Sequence, residues 1–387
     1  MTYYLLPSSQ LSLFNHVDIN FNDNISDIYL SHSLSKYLNN IKEKITNNEL
    51  GWDNVKRYTN PYEFIHTTIP GSKNSISKLK PLSRSFYKMV EITNILHLLD
   101  DLRDGPIETF HLAEGPGGFI EAMVFMRKNE NDRYHGMTLI NEDPNVPGWK
   151  KSKHFLETHK NVEIEYGPSN TGDLLDVENL KYCYTKYKNT MNIITADGGF
   201  DFSIDFNKQE ILATNLLFAQ VSFAIAMQKT GGHFILKIFD IFTKTTCDIM
   251  YLLSSLYKQV YIVKPNTSRL ANSEKYIVCK GFKQYPEKLI NNIIRKYGKL
   301  KTSEFISGIL PVRLDYFYLN KIEEYNAIFG QQQIENITHT LNLISCKNKS
   351  EKIEALKKNN IQKCTYWCEK NNIVHNKNLA STNIFIL

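Results

Sequence analysis

ETFHLAEGPGGFIEAMVFMRK, residues 108–128, decides the architecture: an apolar run of strand length, a turn holding three glycines and a proline, then a helix-length amphipathic run. Glycine lets the backbone approach a ligand closely, and the N–H groups that open a helix point outward, so such a turn can cradle a nucleotide-like group. The same turn also serves as a plain strand-to-helix connection in many α/β proteins. It departs from the G-x-G-x-x-G dinucleotide spacing, which disfavours a nicotinamide enzyme. Outward from this unit, short apolar runs at 134–140, 162–166, 191–196, 232–239, 259–264 and 275–281 alternate with helical patterns near 84–99, 117–128, 208–229 and 244–256. That alternation predicts an α/β unit over 76–282: a mostly parallel, seven-stranded sheet with helices on both faces. Residues 1–75 are polar and rich in Asn, with helical patches, and 283–387 carry Lys, Asn, Leu and Ile at helical spacing. Both read as mostly helical extensions.

Composition narrows the function classes. The chain has 387 residues, 42% of them hydrophobic and 22% charged, with a net charge of +6. This mild excess suits one localised anionic ligand better than wholesale coating of DNA. Aromatic residues are plentiful, and a few placed beside Lys or Arg could stack on unpaired bases. Six cysteines at 183, 247, 279, 346, 364 and 368 form no paired framework, which predicts reduced thiols and an intracellular setting. Cys346, Cys364, Cys368 and His375 match no common zinc-finger spacing, so no metal is expected. The first residues lack a basic, apolar leader pattern, and Leu216–Met227, the most apolar stretch, is too short to span a bilayer.

Four ionisable residues interrupt otherwise apolar surroundings: Lys88 in SRSFYKMVEI, Asp197 in NIITADGGFD, Lys237 in GGHFILKIFD and Glu274 in NSEKYIVCKG. An isolated buried charge is costly, so two cations and two carboxylates in such settings are expected to satisfy one another in a cleft. Asp197 ends a strand just before Gly198-Gly199, which places its carboxylate at the carboxyl edge of the sheet. Lys237 is expected on a strand introduced by a Gly231-Gly232 helix stop. Taken singly, an Asp in a turn and a snorkelling Lys are the ordinary readings. Glu142, Asp143 and Asp173 follow strands and suit hydrogen bonds to ribose or an adenine amino group; as turn carboxylates or helix caps they would look the same.

In this order Lys88, the GPGG loop, Asp197, Lys237 and Glu274 resemble the Lys-Asp-Lys-Glu tetrad of FtsJ-like RNA ribose 2′-O-methyltransferases. The stretches NPYEFIH, AEGPGGF, GMTL, TADGGFD, TGGHFILKIFD and RLANSEKYIVCKGF are similar to those of the cap-specific mRNA members, over roughly residues 59–282. The resemblance implies a Rossmann-like S-adenosylmethionine-dependent methyltransferase fold and makes Lys88, Asp197, Lys237 and Glu274 the catalytic set. It places S-adenosyl-L-methionine against Glu114, Gly115, Pro116, Gly117, Gly118, Phe119, Asp173 and Asp197, with no metal. Many relatives carry Asp where this chain has His111.

Methylation of the first transcribed nucleotide, cap 0 to cap 1, is the implied reaction, with Lys237 as base oriented by Asp197. Arg84, Lys264, Arg269 and Lys275 flank the tetrad and are expected to steer the RNA. Capped mRNA is the implied partner, with other capping or transcription machinery beside it and no membrane. The expected location is the nucleus or cytoplasm, or a cytoplasmic replication site or virion for a large DNA virus. A methyltransferase of ribosomal or other structured RNA shares the tetrad, and a non-catalytic cap-binding subunit shares the fold.

Overall fold

The structure, a computed structural model, describes residues 1–9, 17–22, 28–141, 143, 146–199, 208–301 and 304–376. Glu142 lies outside the described residues. In chain order, β1 (Thr2–Leu5), β2 (Asn20–Asn22), α1 (His32–Thr46) and α2 (Glu49–Thr59) precede α3 (Ser85–Leu96). The central alternation is β3 (Glu108–Leu112), α4 (Gly118–Arg127), β4 (Arg133–Met137), α5 (Lys153–Thr158), β5 (Val162–Ile164), α6 (Val177–Tyr187) and β6 (Met191–Ala196). It continues with α7 (Gln209–Leu212), α8 (Thr214–Met227), β7 (Gln228–Ile238), α9 (Lys244–Leu256), β8 (Tyr257–Lys264) and β9 (Lys275–Phe282). Last come α10 (Glu287–Lys296), β10 (Phe305–Gly308), α11 (Tyr316–Ile344) and α12 (Lys349–Lys370).

The main sheet has the order β1-β8-β9-β7-β6-β3-β4-β5. Strands β5, β4, β3, β6 and β7 run parallel to their neighbours, while β9 is antiparallel to both β7 and β8. The sheet therefore has eight strands rather than the expected seven. The extra one, β1, pairs antiparallel with β8, from Thr2 opposite Lys264 to Leu5 opposite Tyr261. A second small sheet joins β2 to β10. The N-terminal stretch thus contributes strand as well as helix.

Alternation along each strand divides the core into two layers, because successive side chains leave opposite faces of a sheet. Ile193, Ile235, Tyr276 and Val278 pack with α3, α4 and the Trp367 end of α12. Ile194, Phe234, Leu236, Ile277 and Cys279 pack with α8, α9, α10 and α11. Helix α8 is buried on nearly every face, Leu217 to Met227 without a break, because it lies between the sheet and neighbouring helices. Each of its large apolar side chains contributes about 1.5–3 kcal/mol on burial. The helix ends at Gln228, not at the glycine pair: Gln228 turns extended and donates its side-chain amide to the Met191 carbonyl at 2.8 Å. Gly231 and Gly232 fall inside β7.

Strand order reverses direction of growth at β3, which has β4 on one side and β6 on the other. At such a switch point the loops leaving the carboxyl ends diverge and open a crevice.

Candidate active site

Sheet register brings the four charges together. Leu112 is opposite Ala196, Ala196 opposite Leu236, and Lys237 opposite Tyr276. The glycine loop after β3, Asp197 after β6, Lys237 near the end of β7 and Glu274 just before β9 therefore occupy one edge. Lys88 reaches the same place from α3, whose packing between α4, the sheet and the Trp367 end of α12 buries Phe86 to Thr93.

The contacts form one chain of polar atoms. Lys88 Nζ donates to Glu274 Oε2 at 2.8 Å and to the Tyr276 hydroxyl at 3.3 Å. The Tyr276 hydroxyl donates to Asp197 Oδ1 at 2.9 Å. Lys237 Nζ donates to the Asp197 carbonyl oxygen at 2.6 Å and lies 3.4 Å from Asp197 Oδ1. Ser268 Oγ supports the far end, donating to Glu274 Oε1 at 2.6 Å. The middle of the chain is the most deeply buried, 4% exposed at the Lys88 side chain and 0% at Tyr276, against 12% at Glu274, 14% at Lys237 and 17% at Asp197. Both ends of the chain, Glu274 and the Lys237–Asp197 pair, keep some surface in contact with solvent.

Electrostatics follow from this burial. Desolvation lowers the Lys88 ammonium, against the pull of Glu274 and Asp197. Burial alone would raise the Glu274 carboxyl, but Lys88 and then Lys237 outweigh it and hold the group well below the usual carboxylate range. The Tyr276 phenol is pushed well up by burial and by the two carboxylates, so it stays a neutral donor. Tyr276 carried no expectation on sequence. Its signal was parity: two residues beyond Glu274 on a strand, a side chain returns to the same face.

The glycine loop closes against the opening of α3. Gly117 holds φ at +105°, a backbone angle side-chain-bearing residues rarely adopt, and a Cβ on Gly118 would meet the hydroxyls of Ser83 and Ser85 at 2.2 Å. Glu114 turns inward: its carboxylate accepts from Phe119 N at 2.6 Å and Ile120 N at 3.2 Å, capping α4. Burial, reinforced by Asp197, raises that carboxyl well above its ordinary value. Asp173 lies at the turn beside the end of β4, where Ile140 N donates to the Thr171 carbonyl. Its carboxylate accepts from Leu175 N at 2.9 Å and pairs with Lys301 at 3.1 Å.

A match to the family described as FtsJ-like methyltransferase covers residues 81–282, more than half of the chain. The chain belongs to the FtsJ-like methyltransferase family. It is 28% identical over 345 residues to the cap-specific mRNA (nucleoside-2'-O-)-methyltransferase 2 of Danio rerio, covering 85% of this chain and 46% of that protein. It is also 28% identical over 288 residues to the cap-specific mRNA (nucleoside-2'-O-)-methyltransferase 1 of Trypanosoma brucei brucei, covering 70% and 76%. The chain thus spans about half the length of the zebrafish relative. Human methyltransferase-like protein 13, solved with SAH, aligns over 61% of this chain and 97% of its own at 10% identity and a TM-score of 0.35, too low to support an argument.

The family's donor, S-adenosylmethionine, fits the crevice that these loops frame. Gly115 to Gly118 offer closely approachable backbone, while the Phe119 and Ile120 N–H groups at the start of α4 are already taken by Glu114. Leu139 and Ile140, 42% and 50% exposed beside the Asp173 turn, offer an apolar surface for a flat base. His111 faces into the α3–α4 layer rather than the crevice. Its ring bonds Thr109 Oγ1 at 2.9 Å and Thr195 Oγ1 at 2.8 Å, and burial lowers it to about 3, so it is neutral.

The four expected RNA contacts divide. Arg84 stays partly exposed at the opening of α3. Arg269 is clamped by Glu63, donating Nε to Oε2 at 3.0 Å. Lys264 and Lys275 are buried and aim inward, Lys264 at the carbonyls of Asn272 (2.5 Å) and Glu274 (2.6 Å), Lys275 at that of Ser273 (2.8 Å). Parity explains the last: Lys275 leaves the opposite face of β9 from Tyr276 and lies 3.7 Å from Asp240. For Lys264 and Lys275 the expected strand contact therefore gives way to a supporting position beneath Glu274.

Proposed function

We propose that the chain is an S-adenosylmethionine-dependent mRNA cap ribose 2′-O-methyltransferase acting on a cap-proximal nucleotide, the first transcribed one in our reading. The continuous contact from Glu274 through Lys88, Tyr276 and Asp197 to Lys237, beside the glycine loop, carries this reading. A ribose hydroxyl is a weak nucleophile, so the site must orient it and take its proton. As an amine, Lys237 Nζ gives one N–H to the Asp197 carbonyl oxygen at 2.6 Å, with the Asp197 carboxylate 3.4 Å away to orient it. The lone pair is then left for the 2′-hydroxyl proton. S-adenosylmethionine supplies a sulfonium methyl: the carbon–sulfur bond breaks as the ribose oxygen–carbon bond forms. Lys88 and Glu274 hold Tyr276, and through it Asp197, in place.

A cleft of about 620 Å³ opens between α1–α2 and the 269–274 segment, with Glu274 on its wall. Trp52 and Phe239 line it together with Glu49, Asp53 and Lys56. Aromatic faces beside carboxylates suit a cationic methylated guanine, stacked on a ring with its N–H edge facing acceptors. We place the cap nucleoside there.

Mass spectrometry of a short capped RNA, after incubation with the protein and S-adenosylmethionine, tests the proposal. The expected product carries one new methyl group on the ribose nearest the cap. Transfer to a base, or equal transfer to uncapped structured RNA, would overturn it.

A further inference from the structure

A second concavity of about 410 Å³, lined by Arg84 and Tyr87 at the start of α3, differs in charge from the cap cleft. Lys73, Lys78, Lys80 and Arg84 line it, and no carboxylate does. Among the described residues none of these four cations forms an ion pair or donates a side-chain hydrogen bond to protein, and the three lysines are exposed. Four unpaired cations around one hollow repel one another, an arrangement that an anion relieves.

The floor is fixed in advance. The Tyr87 hydroxyl donates to the Leu79 carbonyl at 3.0 Å and accepts from the Ser77 hydroxyl at 2.9 Å. Residues 75–78 are pinned to the chain's far end: Lys78 N donates to the Val374 carbonyl, Asn376 N to the Ile76 carbonyl, and Asn376 Nδ2 to the Ser75 carbonyl. The lysine-bearing backbone is thus anchored while the ammonium groups stay free. Arg84 joins this hollow to the tetrad. It stands one helical turn before Lys88 on α3, and its charge reaches Lys88 and Glu274.

We propose that this hollow binds the phosphodiester backbone of RNA downstream of the methylated nucleotide. The inference rests on the function proposed above and extends it: the mixed-charge cleft takes the cap, and the cationic hollow takes the outgoing strand. With few rings and no carboxylates to read base edges, it holds phosphates without regard to sequence. The three lysine side chains themselves are exposed and take no part in the core or the tetrad, whereas Ile76 and Ser77 between them are buried and hold the segment in place.

The test compares two RNAs, a capped trinucleotide and a capped RNA of about 15 nucleotides, by fluorescence anisotropy without methyl donor. In the Lys73→Gln, Lys78→Gln, Lys80→Gln triple variant, affinity for the longer RNA is expected to fall on the order of tenfold. The trinucleotide should change by less than about twofold, and the salt slope for the longer RNA should drop by roughly 2, from about 0.7 per neutralised phosphate on a single strand. The corresponding triple Arg variant should bind as the wild type does. An unchanged salt slope, an equal loss for both RNAs, or displacement of the RNA by a polyglutamate peptide would overturn the proposal. Because binding is read without turnover, failure of this inference shows separately from failure of methyl transfer, which the wild type reports alone.

Discussion

Two clusters of buried charge sit on opposite faces of the same strands, and only one is open. In the tetrad, Lys237 and Asp197 keep part of their surface in the crevice. In the other, Asp240 lies 3.1 Å from Lys42 and 3.7 Å from Lys275, while Lys264 and Lys275 spend their ammonium groups on backbone carbonyls. Glu210 closes that cluster, its carboxylate accepting from Phe242 N, Thr243 N and Thr243 Oγ1. Burial leaves its marks there: the Lys264 ammonium is lowered to about 7 and the Glu210 carboxyl raised to about 7. The difference teaches that a charge on an apolar strand does not by itself announce chemistry. What separates the clusters is exposure, 14% and 17% for the Lys237 and Asp197 side chains against 6% and 10% for Lys275 and Asp240. They are also joined, since Lys264 grips the carbonyl of Glu274, so the sealed cluster supports the open one.

Substitutions on either side should separate the two roles. Lys237→Ala is expected to lower methyl transfer by about 10²–10⁴-fold while cofactor affinity, read by calorimetry, stays near wild type. Asp240→Asn should do the reverse: it strands Lys42 and Lys275 without their counter-charge and costs about 3–5 kcal/mol in chemical denaturation. A loss of under 1 kcal/mol would mean that the sealed cluster does not hold the fold.

A smaller effect concerns pH. His111 is depressed when folded, so between about 6.5 and 3 the unfolded chain binds a proton that the folded chain refuses. Its contribution is intact above the ordinary histidine value and is lost as pH falls. From pH 6.5 to 4.5 stability should drop by about 2–3 kcal/mol through this residue, and His111→Asn should flatten that part of the profile. An unchanged slope would show that other groups carry the acid sensitivity. Tyr276→Phe is the mildest change, deleting one hydrogen bond to Asp197; about 1 kcal/mol, or turnover lower by up to roughly tenfold, is expected. Full activity would remove the phenol from the chain of contacts.

Much of this layout was legible in the sequence, because period-two alternation and the strand–glycine–helix unit are local signals. The tetrad side chains were recognisable as a set since each interrupts an apolar run. The fate of Lys264 and Lys275 was not: it depends on strand parity and on where the 265–274 segment folds back, which distant residues decide. Glu91, for example, fixes that segment by accepting from Asn266 N and Thr267 N, and Asn60 by accepting from Leu270 N. β1 was hidden for a related reason. A four-residue edge strand carries too little pattern to stand out, and its partner β8 lies some 260 residues away.

Single-turnover methyl transfer to capped RNA, counted per folded molecule in Lys237→Ala beside Asp240→Asn, tests the assignment of the two clusters most directly. The expected result is transfer reduced about 10²–10⁴-fold in the first and within roughly tenfold of wild type in the second. Wild-type rates in Lys237→Ala would contradict the assignment of the reaction to the open cluster.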